Sequence, residues 1–193
     1  MRFPKKIEMR QFKNEKIYIL IEAIEKIVVH AINYINLQNF RNLEVIGLVR
    51  GYYKDETTLI INETFPIREG DEKHVSFTDD DYAFFSKIPL DEKKKEFIIG
   101  WYHSHPGFGL FLSPIDIKTH ALSFQLSNPN ALALIFDPIR FINLKNQLED
   151  SKSNKMLNKI YHQSLGLFRI KNINELKVND NYIEIDWDIL END

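Results

Sequence analysis

The chain has 193 residues, 44% of them hydrophobic and 12% aromatic, enough apolar material for one domain with a buried core and too much for a disordered protein. A formal net charge of -3 gives no general attraction to nucleic acid, and the absence of cysteine removes disulfides, thiolate metal sites and a cysteine nucleophile, so any metal must rest on His, Asp or Glu. No stretch approaches the ~20 apolar residues of a membrane helix and no apolar signal core opens the chain, so the expectation is a soluble, cytoplasmic protein with neither membrane nor nucleic-acid partners.

The first residues are basic, with Arg2, Lys5, Lys6, Arg10, Lys13 and Lys16 against Glu8 and Glu15, and residues 181–193 are acidic. Both read as solvated ends. Ile17 to Leu20 is a short strand, after which Ile24, Ile27, Val28, Ala31, Ile32 and Ile35 recur at the spacing of a core-facing helix. Leu43 to Tyr53 and Thr57 to Phe65 are neighbouring buried strands. Residues 66–78, with Pro, Gly and many charges, are expected as an exposed loop or hairpin insertion. Asp79 to Ile88 reads as a helix, with Tyr82, Phe85 and Ile88 on one side, Lys93 to Glu96 as a polar exit, and Phe97 to His105 as a strand. Ser113 is a good N-cap, Pro114 suits the first helical position, and the helix should continue through Ile117, Ala121 and Phe124 to a stop at Asn128 to Asn130. Leu132 to Phe136 is a buried strand, while residues 143–163 are largely polar and are expected as a second, mobile insertion. Gly166 to Ile170 resumes strand character, and Tyr182 to Ile189 alternates as one half-buried strand would.

The segment Trp101 to Asp116 carries the chemistry. His103 and His105 are spaced i, i+2, so on an extended strand both imidazoles leave the same face, and Pro106 keeps His105 extended. Gly107 and Gly109 permit a sharp turn that brings Asp116 back as a third ligand. Two imidazoles and a carboxylate meet the three-ligand count of a hydrolytic zinc with one open position. Ser113 and Asp116 also fit a helix-capping pair, and the two readings are compatible because an acid in the first helical turn can still face a metal.

His103-Ser104-His105-Pro106, with Ser113 and Asp116 ten and thirteen residues after His103, resembles the JAMM motif of the MPN-plus metalloproteases. The string Gly100 to Gly109 is especially similar to the proteasome-lid deubiquitinase type. Glu44-Val-Ile-Gly47-Leu-Val-Arg-Gly51 fits the upstream Glu-x-x-Gly-x-x-x-Gly setting of the family, and the Asp137-Pro138-Ile139 step resembles it as well. The resemblance implies an α/β fold of the MPN (JAMM, cytidine-deaminase-like) kind, with a mostly antiparallel or mixed curved sheet flanked by helices, occupying residues 1–193 as one domain. It implies one catalytic Zn2+ on His103, His105 and Asp116, with Glu44 moving the proton of the attacking water and Ser113 donating to the oxyanion. On the residues alone, Glu44 is an acid at the head of an apolar strand.

The implied activity is removal of ubiquitin or a ubiquitin-like modifier from target lysines. The alternatives are a JAMM peptidase cutting a ubiquitin-like or sulfur-carrier protein at a linear bond, or a non-catalytic MPN scaffold, which this full set of polar residues disfavours. The family's substrate-clamping loop aligns with residues 66–78, so His74, Val75, Ser76, Phe77 and Thr78 are expected to contact the modifier tail, which could add as a strand. The chain stops soon after the likeness ends, without the long C-terminal helices of lid and signalosome enzymes, so a compact free-standing or proteasome-associated enzyme is expected.

Overall fold

The computed structural model describes residues 15–36, 38, 41–72, 75–147, 154–176 and 181–191. Strand β1 (Lys16–Leu20) buries Ile17 and Ile19 and passes directly into helix α1 (Ile21–Ile32), whose apolar stripe of Ile24, Ile27, Val28 and Ala31 packs on the sheet. The helix stops before Ile35, which instead starts a small ribbon of β2 (Ile35–Asn36) and β3 (Arg41–Asn42). A long hairpin follows, β4 (Val45–Tyr53) and β5 (Thr58–Glu69). Strand β5 absorbs residues 66–69, so the part of the expected insertion outside the sheet begins at Gly70; Pro66 is accommodated beside a register shift opposite Gly47.

Helix α2 (Asp79–Phe85) starts on a capping box between Thr78 and Asp81 and ends three residues sooner than the sequence pattern predicts, although Ile88 still reaches the core. Strand β6 (Phe97–Ser104) leads to helix α3 (Pro114–Thr119), which Ser113 caps as expected and which continues as a π-helix over His120–Gln125. After β7 (Leu132–Phe136) come α4 (Pro138–Asn146), α5 (Asn154–Ser164) and β8 (Leu165–Ile170). The polar tract expected as a mobile insertion is therefore largely helical: Phe141, Ile160 and Tyr161 anchor α4 and α5 to the core, and the abundant Lys and Asn cover their outer faces.

The alternating segment near the end is two strands, β9 (Tyr182–Ile185) and β10 (Asp188–Leu190). They lie at opposite edges of one eight-stranded mixed sheet, in the order β10-β1-β5-β4-β6-β7-β8-β9. With only Asp186 and Trp187 between them, the sheet must curve until its edges approach each other. The same closure is braced by a 2.5 Å ion pair between Arg169 on β8 and Glu15 beside β1. Ile183, on the apolar side of that alternation, is exposed on the edge strand β9.

Two apolar cores flank the sheet. Ile17, Ile19, Tyr102, Leu132, Leu134 and Phe136 face α1, α4 and α5, while Ile46, Leu48, Trp101, Ala133 and Ile135 face α2, α3 and the π-helix. Alternation along β6 therefore puts Trp101 and His103 on the second face and Tyr102 on the first. Parallel pairing of β6 with β7 and antiparallel pairing with β4 hold that strand at the centre of the sheet.

Candidate active site

Glu44, His103, His105 and Asp116 converge in one buried spot, each about 4% exposed or less. His103 and Glu44 meet across the β4–β6 ladder with Nε2 and Oε2 3.4 Å apart. His105 Nε2 lies 3.3 Å from Asp116 Oδ2, and His103 Nε2 lies 3.9 Å from Asp116 Oδ1. The two imidazoles stand at 89° to each other with centroids 4.8 Å apart, so their Nε2 edges aim inward from different directions. Phe111 packs on His105 at 4.9 Å, and Trp101 lies beside His103 at 5.8 Å.

The backbone fixes each group. Glu44 donates its N–H to Asp71 O at 2.9 Å and accepts from Gly70 N at 2.8 Å, while the next amide, Val45 N, donates to Ser104 Oγ at 2.9 Å. His105 N donates to Phe136 O at 2.8 Å, seating the strand end on β7. Gly107 and Gly109 adopt φ of 81° and 93°, the left-handed region that only glycine enters without strain, and this reverses the chain towards α3. Asp116 then does what the capping pattern asks and also faces the imidazoles: its Oδ2 accepts from Ser113 N at 2.8 Å, and its own N–H donates to Ser113 Oγ at 3.2 Å. Ser113 Oγ accepts that bond in the wall of the pocket, beside the Asp116 carboxylate.

The two carboxylates are driven apart electrostatically. Burial pushes Glu44 up to about 7, with His105 opposing and Asp116 and Asp71 adding to the rise. Burial acts the same way on Asp116, but His105, His103 and Ser113 outweigh it and hold that carboxyl below its ordinary value. One acid is thereby poised to exchange protons near neutrality, and the other stays ionised.

These residues fit a divalent ion. Donors sharing one tetrahedral ion with bonds of ~2.0–2.1 Å stand roughly 3.3–3.4 Å apart, which matches the His105–Asp116 separation of 3.3 Å, with His103 and Asp116 somewhat wider at 3.9 Å. Among the described residues, Glu44, His103 and His105 form a group of buried donor atoms within 4.8 Å of one another that could hold a metal. The set contains only imidazole nitrogen and carboxylate oxygen, a combination suited to zinc.

A pocket of about 250 Å³ opens over this group, lined by Glu44, His103, His105, Ser113 and Asp116 at its floor and by Phe108, Phe111 and Ile115 at its rim. The rim residues are exposed, Phe108 to 56% and Ile115 to 51%. Sequence reading overlooked this rim because isolated apolar residues in a turn carry no period. It also overlooked the buried bond from Trp101 Nε1 to His120 Nδ1 (3.2 Å), which joins β6 to the π-helix and which no spacing rule reveals.

The segment expected to bind the modifier tail divides. Val75 and Phe77 are buried against Ile46, Trp101 and Phe124, Thr78 caps α2, and Ser76 is exposed; His74 lies outside the described residues.

A curved mixed α/β sheet flanked by helices, with a buried acid and imidazole group at the end of its central strands, defines an MPN-type domain. The family described as JAB1/Mov34/MPN/PAD-1 ubiquitin protease matches residues 13–130, and the chain belongs to it. It is similar to COP9 signalosome complex subunit 5 of Gibberella zeae, at 36% identity over 145 residues, covering 72% of this chain and 39% of that protein. It is also similar to the 26S proteasome regulatory subunit rpn11 of Schizosaccharomyces pombe, at 34% identity over 134 residues, covering 67% of this chain and 40% of that protein. The matches thus span about two-fifths of the length of these relatives. The solution structure of protein DSY2949 from Desulfitobacterium hafniense shares the fold, with a TM-score of 0.52, 20% identity and coverage of 91% of this chain and 92% of that one. No helix among the described residues is long and apolar enough to cross a membrane.

Proposed function

We propose that the chain is a zinc-dependent isopeptidase that removes ubiquitin or a ubiquitin-like modifier from target lysines in the cytoplasm, acting free or in association with the proteasome. The observation that carries the proposal is the convergence of Glu44, His103, His105 and Asp116 under one pocket, with Ser113 in its wall, in a member of this family. His103, His105 and Asp116 are taken as the ligands of the ion, Asp116 lying within 3.9 Å of both imidazoles. Bound there, zinc supplies Lewis acidity towards the scissile carbonyl and lowers the pKa of a water to about 7.

The protein groups do the rest. Glu44, held by its backbone on both sides, takes a proton as water oxygen bonds to the carbonyl carbon, and returns it to the lysine nitrogen as the C–N bond breaks. Ser113 donates its hydroxyl hydrogen to the carbonyl oxygen as charge develops there. The apolar rim of Phe108, Phe111 and Ile115 strips water from an extended modifier tail, and residues 75–78 are proposed to flank its path.

The test is incubation of the metal-loaded protein with isopeptide-linked diubiquitin and, separately, with linear ubiquitin fusions. The expected result is about one zinc per chain and isopeptide cleavage that falls by roughly 10²–10⁴ in Glu44→Gln with zinc retained. Native protein without zinc, or full activity in Glu44→Gln, would overturn the proposal. Cleavage of linear fusions alone would assign the site to a linear peptide bond instead.

A further inference from the structure

Asp137 lies at the end of β7 and is only 3% exposed. Its role as N-cap of α4 accounts for one bond, from Arg140 N to Oδ1 at 3.0 Å. Two more come from 28 and 30 residues earlier in the chain: Gly107 N donates to Oδ1 at 2.9 Å, and Gly109 N donates to Oδ2 at 3.1 Å. Both glycines are left-handed, and backbone of that kind turns its N–H groups inward to make a concave anion seat. Here the seat is filled from within, by a carboxylate of the same chain.

The residue between the anchored glycines is Phe108. It lines the pocket while 56% exposed, so little side-chain packing holds it in place. Its position is set by the backbone on either side, and that backbone is held by Asp137. We propose that Asp137 is a positioning residue for substrate, which pins the Gly107–Gly109 turn and so presents Phe108 as a preformed apolar contact for the incoming peptide tail. This rests on the isopeptidase reading for its substrate, whereas the anchoring can be measured without any substrate.

In Asp137→Asn, the amide oxygen can still serve Gly107 and Arg140, but the amide NH2 then faces the Gly109 N–H, donor against donor. The Gly109 end of the turn is released while the helix cap survives. Asp137→Ser, a good N-cap too short to span both glycines, provides a second variant should the first fold poorly.

Amide hydrogen exchange of the zinc-loaded full chain is the first readout. Gly109 should exchange at least roughly tenfold faster in Asp137→Asn, with zinc content unchanged. With isopeptide-linked diubiquitin as substrate, KM should rise roughly fivefold to tenfold and kcat should stay within about twofold. The KM penalty should vanish when Asp137→Asn is made on a Phe108→Ala background, because the two residues act through one contact. A fall in kcat at constant KM, or multiplying penalties in the double variant, would overturn the proposal. If the wild-type protein cleaves no modifier substrate, the isopeptidase reading fails, and unchanged Gly109 exchange then overturns the anchoring itself.

Discussion

Replacing Ser104 by alanine tests how the acid of the candidate site is held. Ser104 is fully buried between two ligand candidates, and its Oγ accepts the Val45 N–H at 2.9 Å, the amide adjoining Glu44. Val45 is also fully buried, so water cannot replace the lost acceptor. An unsatisfied buried N–H costs about 1–3 kcal/mol, and for a chain of this length each kcal/mol lowers Tm by about 2–4 °C. Glu44 keeps its bonds to residues 70 and 71, so the acid should shift rather than be lost. The expectation is a destabilisation of about 1–3 kcal/mol in urea unfolding at unchanged m-value. A drop in kcat of roughly tenfold at nearly constant KM should accompany it. Ser104→Thr, which restores the hydroxyl, should recover most of both. If Ser104→Ala unfolds at the wild-type urea midpoint, or loses activity through KM alone, the idea that this hydroxyl sets the position of Glu44 is wrong.

Acid should weaken the fold through His30, whose Nδ1 lies 2.7 Å from Tyr102 Oη under β6 and whose pKa burial lowers to about 4, with Glu69 opposing. A folded value below the unfolded 6.5 means that the unfolded chain binds the proton first; stability is complete above pH 6.5 and is lost as pH falls towards 4. Going from pH 7 to pH 5 should therefore cost about 1–2 kcal/mol, allowing for partial exposure. His30→Gln should remove that part of the pH dependence, and an identical pH 7 to pH 5 difference in the variant would refute the assignment. At the sheet closure, Glu15→Gln leaves the Arg169 guanidinium uncompensated where both side chains are 8% exposed. Unfolding should be easier by about 3 kcal/mol, and Glu15→Met with Arg169→Met should recover much of it; a silent Glu15→Gln would show that the pair does not hold the edges together.

The parts of the fold legible in the sequence are those written in local periodicity. Ile24, Ile27, Val28 and Ala31 mark α1 because 3.6-residue spacing is visible in a single segment, and Ser113-Pro114 marks the start of α3 because a cap needs only its neighbours. Residues 143–163 were illegible for the opposite reason: α4 and α5 each bury few residues, and a mostly polar helix resembles a loop until its packing partner is known. Tyr182 to Ile189 misleads because alternation records a pleat and not a partner, so nothing local says that β9 and β10 leave for opposite edges of the sheet. Of the candidate site, the string from His103 to Asp116 is compact enough to read directly. Asp137 is read as a family likeness, but its hold on Gly107 and Gly109 depends on the β6–β7 neighbourhood.

Glu44 is the case in which long-range register decides chemistry. On the site side of the β4–β6 ladder, Ile46 pairs with His103 and Val49 with Gly100; beyond a register shift, Arg50 pairs with Ile98 and Gly51 with Phe97. Counting back from the first pair sets Val45 beside Ser104, where their hydrogen bond is found, and Glu44 beside His105. Had the distal register run through without the irregularity, Glu44 would fall beside Ser104, one residue out of step with both imidazoles. A one-residue slip exchanges the faces that paired side chains share. The acid and the histidines therefore share a pocket because Ile99, four residues from the nearest imidazole, is left out of the ladder and not paired. Deleting Ile99 removes the bulge but leaves Val49 opposite Gly100 and Ile46 opposite His103, so Glu44 should stay beside the histidines and its proton transfer should survive in a variant that folds. Should that variant fold and bind zinc yet lose kcat as Glu44→Gln does, register at the bulge would not be what brings Glu44 to the histidines.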